Sequence, residues 1–233
     1  MDAPTEAPAM PGVYEHALDS AAADLHPNVR ERYALGPDDA LVCVGSGKMD
    51  ISRGTHVLPA LYAMTGQDLL FPEAGRKVPF TVTTAAYRTD AGFEALTTRR
   101  EFAFPRTNRR FDSLTVWDDH HGRLLDFLGR DGHLVSELRP RVEAGALVVD
   151  GGRQWARLGD RYVRLPGPLA ASVEVRDRYD DADERYHVLA TVENPLAGHI
   201  LSYRGSFTQE IRDVDAVPDD LRLGATLDTL PPR

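Results

Sequence analysis

Residues 111–142, FDSLTVWDDHHGRLLDFLGRDGHLVSELRPRV, decide the fold. Three strand-like runs, 111–117, 123–128 and 133–142, are separated by Asp118-Asp119-His120-His121-Gly122 and by Asp131-Gly132. Both separators are turn chemistry: short polar side chains that satisfy their own backbone, and glycine for the positive φ that tight turns require. Connections this short hold no crossover helix, so successive strands must run antiparallel.

The same pattern continues in both directions. Upstream lie the runs 78–87 and 93–104, split by Thr89-Asp90-Ala91-Gly92. Downstream lie 146–149, 154–158, 162–165, 171–179, 185–192 and 199–211. Asp150-Gly151-Gly152, Gly159-Asp160 and Asp180-Asp181-Ala182-Asp183 punctuate them. Further upstream, Leu41 to Val44, the glycines of Gly45-Ser46-Gly47 and the run 48–54 read as one more hairpin. Helical spacing is confined to the N-terminal part. It appears over 13–24 (Val13, Ala17, Leu18, Ala21), over 28–35, and over 56–65, where Pro59 falls in the first turn and Gly66 at the end.

About ten short strands cannot stay in one flat sheet, because strand twist accumulates until the sheet curls, splits or closes. The expected fold class is therefore mainly β (α+β): a curled antiparallel meander or barrel-like sheet, with short N-terminal helices covering an open end or edge. The expected organisation is a disordered tail over 1–12, a single β-rich domain over 13–212 and an irregular C-terminal extension over 213–233.

Composition narrows the function classes. The 233 residues are 42% hydrophobic and 27% charged, with 36 acidic and 27 basic residues and a formal net charge of −9. An acidic chain is a poor partner for nucleic acid or an anionic membrane surface, both of which select a positive footprint. The Arg106-Thr107-Asn108-Arg109-Arg110 cluster is too local to change that. A single cysteine, Cys43, excludes an internal disulfide framework and a cysteine-rich zinc site, and in its apolar run it reads as a small buried hydrophobe. No run of 18 apolar residues suggests a bilayer span, and MDAPTEAPAMPG has neither a basic region nor an apolar stretch of a secretory signal. A cytoplasmic protein is the expectation.

Familiar catalytic signatures are missing. Gly45-Ser46-Gly47-Lys48 lacks the spacing of a phosphate loop, and no G-x-S-x-G, H-E-x-x-H or G-x-G-x-x-G occurs. Asp118-Asp119-His120-His121 and Asp180-Asp181-Ala182-Asp183-Glu184 read as solvated turns, because adjacent side chains on one turn rarely converge on an ion. Neither a metal nor a cofactor is expected.

From about Asp24 to Arg212 the chain resembles a bacterial domain-of-unknown-function family, number 4166. The strongest match is Asn194-Pro195-Leu196-Ala197-Gly198-His199-Ile200-Leu201-Ser202-Tyr203-Arg204-Gly205, similar to the family's Pro-Leu-x-Gly…Tyr-x-Gly ending. Leu25-His26-Pro27-Asn28-Val29-Arg30, Ser52-Arg53-Gly54, Phe111-Asp112-Ser113, Leu125-Asp126-Phe127-Leu128-Gly129 and Leu165-Pro166-Gly167-Pro168-Leu169 continue the order, and Glu174 falls near an expected acidic position. The chain departs from the family in lacking the tryptophan of a Trp-x-Arg-x-Phe segment near Arg99 and Arg100, and in carrying Asp126 where glutamate is commoner. The resemblance implies no agreed activity. It implies a metabolic or ligand-handling part, found alone or beside dehydrogenase-like or membrane modules.

Charged residues inside strand-like runs are the remaining candidates: Arg53, Arg99, Arg100, Glu101, Asp126 and Glu174. In a curled sheet inward positions alternate with outward ones, so those that point inward would orient a ligand or transfer protons. The reading assigns Asp126 to proton exchange and Tyr203 to hydrogen-bond donation as catalytic groups, and Arg53, Arg100 and Glu174 to ligand binding. The expected function is a small-molecule-binding barrel for an apolar, polyketide- or terpenoid-like compound, with a cofactor-independent isomerase or cyclase as its enzymatic form. The alternative is a structural or interaction module that docks a partner subunit or a second copy of itself.

Overall fold

The computed structural model describes residues 12–233; apart from Gly12, the expected tail lies outside them. Helices α1 (Val13–Leu18) and α2 (Pro27–Tyr33) precede β1 (Leu41–Arg53), and α3 (Leu58–Met64) follows it. Ten further strands follow in succession: β2 (Gly75–Arg88), β3 (Glu94–Phe104), β4 (Thr107–Asp118), β5 (Arg123–Leu128), β6 (Leu134–Glu143), β7 (Ala146–Leu158), β8 (Arg161–Arg164), β9 (Ser172–Asp180), β10 (Arg185–Asn194) and β11 (Gly198–Asp213).

The sheet closes on itself. Its strands are ordered β6-β5-β4-β3-β2-β1-β11-β10-β9-β7, and β7 returns to pair with β6, so ten antiparallel strands form a barrel while β8 extends the far half of β7. Closure removes the unpaired edges that an open meander of this size would expose. The helical stretch expected over 13–24 is α-helical only to Leu18 and continues as a 3-10 turn over Asp19–Asp24.

Two expected turns are strand interior. Residues 41–53 form one continuous strand through Gly45-Ser46-Gly47 rather than a hairpin. A Cβ on Gly47 would lie 2.1 Å from the Ser206 carbonyl oxygen, and one on Gly205 would lie 2.0 Å from that of Lys48. The glycines mark a close approach of the paired strands β1 and β11, the other physical reason for glycine in a strand. Likewise Asp150-Gly151-Gly152 lies within β7. The register against β6 shifts there, with Gly152 and Arg153 opposite Glu137 alone, so the glycines belong to a bulge.

Inside the barrel, α1 and α2 fill one end. Val13, Tyr14, Leu18, Leu25 and Val29 pack against Cys43, Leu96, Leu124 and Leu147. Phe71, Phe80, Phe102, Tyr203 and Phe207 form an aromatic cluster on the wall, which Phe207 joins to the helical end through Arg32 of α2. Outside, the C-terminal segment lies across β2 to β7. Leu223, Leu227 and Leu230 cover Tyr87, Leu114, Val116, Phe127 and Trp155, and the Tyr162 hydroxyl donates to the Thr229 carbonyl at 2.7 Å. Among the described residues no helix is long and apolar enough to cross a membrane.

Candidate functional site

The interior is not solid. A hollow of about 320 Å³ remains between the helices and the aromatic wall, lined mostly by leucine, valine and aromatic side chains. An eight-stranded barrel is just filled by its side chains or holds one small ligand, so ten strands leave space of this kind.

Strand register places polar groups on this wall in a row. Thr115 of β4 stands opposite Asp126 of β5, Asp126 opposite Ser136 of β6, and Ser136 opposite Gln154 of β7. Directly opposed residues share a face, so four consecutive strands present one lateral polar row inward. The Thr115 hydroxyl donates to Asp126 Oδ1 at 2.9 Å. Gln154 is held by the backbone of Ala171, to whose carbonyl it donates at 2.7 Å and from whose N–H it accepts at 2.8 Å.

Asp126 lies deep in the barrel, and the surface it keeps is the part that faces the hollow. Burial raises its pKa above the ordinary carboxylate value; the Arg100 charge and the hydroxyls of Thr115 and Ser113 oppose that without cancelling it. A buried carboxyl of this kind holds its proton longer than one in water, which suits a group that gives and retakes a proton. Tyr14 reaches into the same region from α1. Burial, and then the nearby Asp126 charge, push its hydroxyl well above the usual phenol range. Arg100 enters from β3, lies over the Phe111 ring at 4.9 Å, and donates to the Ser113 hydroxyl at 3.3 Å. Tyr203 of β11 is 4% exposed, packs edge-on to Phe102, and has no hydroxyl partner among the described residues.

A second buried set closes the helical end. Arg32 pairs with Asp177 at 3.2 Å, binds Gln209 and lies over Phe207, while the Tyr33 hydroxyl donates to Asp177 at 2.9 Å. At the other end the hollow reaches the surface at Leu169, which both lines it and is 67% exposed. Asn194 holds that loop through the carbonyls of Pro168 and Ala170, at 3.0 and 2.9 Å.

Of the five sequence-predicted site residues, Arg100, Asp126 and Tyr203 line the hollow. Arg53 does not: its guanidinium donates to the Pro72 carbonyl. Neither does Glu174, which is exposed and 3.9 Å from Arg141. Sequence reasoning missed Tyr14, Arg32, Tyr33, Thr115, Ser136, Gln154 and Asp177. A signal for Ser136 was present, since it falls between Leu134 and Leu138 at the spacing of one strand face.

Other candidates are accounted for locally. Arg109 pairs with Glu73 at 2.6 Å, and Arg110 with Asp112. Asp118 is buried and binds Arg123 and His121, each at 2.8 Å. Asp180, Asp183 and His187 approach one another on the surface, where Asp180 also holds Arg178 at 2.8 Å. Burial pushes the Cys43 thiol up to about 11, away from nucleophilic chemistry. An outer groove of about 480 Å³, lined by charged side chains including Lys48, Lys77, Arg178 and Arg204, crosses β1, β11, β10 and β9.

Comparison with known proteins gives three findings. The family model described as "Domain of unknown function (DUF4166)" matches residues 25–207. The chain is 29% identical over 192 residues to the uncharacterized protein YndH of Bacillus subtilis (strain 168), covering 81% of this chain and 93% of that one. A solved structure from work titled "Structural insights into dehydratase substrate selection for the borrelidin and fluvirucin polyketide synthases" aligns over 78% of this chain and 92% of its own. That alignment has 12% identity and a TM-score of 0.19, too low for any argument.

Proposed function

The chain belongs to the family described as a domain of unknown function (DUF4166), a membership that assigns no reaction, and from the chemistry of its own interior we propose that it is a small-molecule-binding barrel with a proton-transfer group in its cavity. One observation carries this reading: an apolar hollow of about 320 Å³ whose wall is interrupted by a polar row centred on Asp126. Small-molecule sites have this composition, an apolar lining with a few placed polar groups that orient the ligand.

The chemistry follows from the groups available. Asp126, with its raised pKa, exchanges a proton with a carbon or oxygen of the ligand, and Thr115 fixes the carboxyl's orientation. Tyr203 offers a hydroxyl donor to the developing oxyanion from the aromatic wall. The apolar lining holds one conformer of a compact hydrocarbon skeleton, which is what an isomerisation or cyclisation without a cofactor requires.

Two measurements test the reading. Titration with 2-naphthol, followed by its fluorescence, gives saturable one-to-one binding that Val192→Trp abolishes by filling the hollow. Incubation with 2-octanone in D₂O gives exchange at the carbons next to the carbonyl, which Asp126→Asn removes while 2-naphthol binding persists. Absence of saturable binding, or binding unaffected by Val192→Trp, overturns the cavity assignment. Equal exchange in wild type and Asp126→Asn overturns the role of Asp126.

A further inference from the structure

The cavity contains two guanidinium groups in unlike states. Arg32 is ion-paired with Asp177, hydrogen-bonded to Gln209 and covered by the Phe207 ring, although its buried Nε makes no hydrogen bond. Arg100 has only the Ser113 hydroxyl at 3.3 Å and the face of Phe111, and among the described residues no carboxylate oxygen lies within 4.0 Å of it. A guanidinium stays charged at any physiological pH and carries five N–H donors in a fixed fork, of which one is used here. Asp126 senses the Arg100 charge but forms no ion pair with it. A cation facing an apolar hollow without a full counter-ion is costly, and an anionic oxygen docked on the free fork relieves that cost.

Building on the cavity reading, we propose that the ligand is a compact amphipathic monoanion whose carboxylate or enolate oxygen docks on Arg100 and whose hydrocarbon body runs past Leu134 and Val173 towards Leu169. All of these residues line the hollow. One free guanidinium accommodates one anionic group, because the charge of Arg32 is already matched by Asp177. This excludes diphosphates and dicarboxylates as preferred ligands. Taking about 30 Å³ per water-sized group, a hollow of about 320 Å³ suits a ligand body of on the order of ten non-hydrogen atoms. An anion at Arg100 also favours the protonated form of Asp126 by like-charge repulsion, so docking the head group primes the proton donor beside it.

Calorimetric titration of the wild-type protein at neutral pH with octanoate, 1-nonanol and nonylammonium, three probes of equal size, tests the assignment. Octanoate is expected to bind about tenfold or more tighter than 1-nonanol, in line with a charge-assisted hydrogen bond, and nonylammonium more weakly than either. Arg100→Gln removes the preference for octanoate and leaves 1-nonanol binding in place. Saturable 1-nonanol binding without preference for octanoate, or a preference that survives Arg100→Gln, overturns the anion assignment and leaves the cavity reading standing. Failure of all three probes overturns both.

Discussion

Thr115 and Asp126 stand directly opposite each other on β4 and β5, and the threonine hydroxyl donates a 2.9 Å hydrogen bond to Asp126 Oδ1. The bond favours the ionised carboxylate, opposing the burial that favours the protonated form. Thr115→Val, which keeps the side chain's shape, is expected to raise the Asp126 pKa further, read by NMR titration of the carboxyl carbon. The stability cost at neutral pH is about 1 kcal/mol. An unchanged or lowered pKa would show that the bond does not govern this carboxyl.

Asp126 also predicts a pH dependence of stability. Its folded-state pKa is above the unfolded value, so between the two the native chain binds more protons than the unfolded chain. The contribution is therefore present below about pH 4 and lost as pH rises through the folded value. Asp126→Asn removes that loss. Its melting temperature relative to wild type should rise as pH increases above about 4 and level off once pH passes the folded value, and a flat or falling difference would contradict the assigned direction.

Arg32 and Asp177 form a buried ion pair at 3.2 Å. Arg32→Met leaves Asp177 buried without its counter-charge and should cost about 3–5 kcal/mol in urea unfolding. Adding Asp177→Asn removes the orphaned charge and should recover part of the loss. No recovery in the double variant would mean that packing on Phe207, rather than charge, dominates this end of the barrel.

The close approach of the paired strands β1 and β11 makes Gly47 and Gly205 intolerant of even a methyl group, since each Cβ would sit within 2.1 Å of a carbonyl oxygen. Gly47→Ala or Gly205→Ala should destabilise by at least about 2 kcal/mol. Gly66→Ala, where a Cβ meets nothing within 4 Å, should stay within about 0.5 kcal/mol of wild type. Comparable effects at all three positions would refute the close approach as the cause.

Leu227 is 2% exposed beneath the C-terminal segment, among Tyr87, Leu114 and Trp155. If that segment is an integral wall of the fold, Leu227→Ala should cost about 2–5 kcal/mol, as core leucines do. A change below about 0.5 kcal/mol, the usual range for surface positions, would make it a detachable appendage.

The site was partly legible because strand alternation is local. Asp126 is a charged residue in an otherwise apolar run and Arg100 a charged residue within a strand-like one, and both sit on inward positions. Arg53 and Glu174 show the same local pattern, yet Arg53 turns to the Pro72 carbonyl and Glu174 to solvent. A period of two says which residues share a face, not which face is inside. The buried set at the helical end was not legible at all, because Tyr33, Arg32 and Asp177 meet across more than 140 residues of chain.

The sequence by itself determined the strand period, most turns and the antiparallel order, since each rests on side-chain chemistry within a few residues. Only the tertiary structure decided that β7 returns to β6, that the glycines of β1 and β7 serve a close strand approach and a bulge instead of turns, and that a hollow remains. Closure, close approach and empty volume depend on distances between segments far apart in the chain, and local propensity carries no record of them.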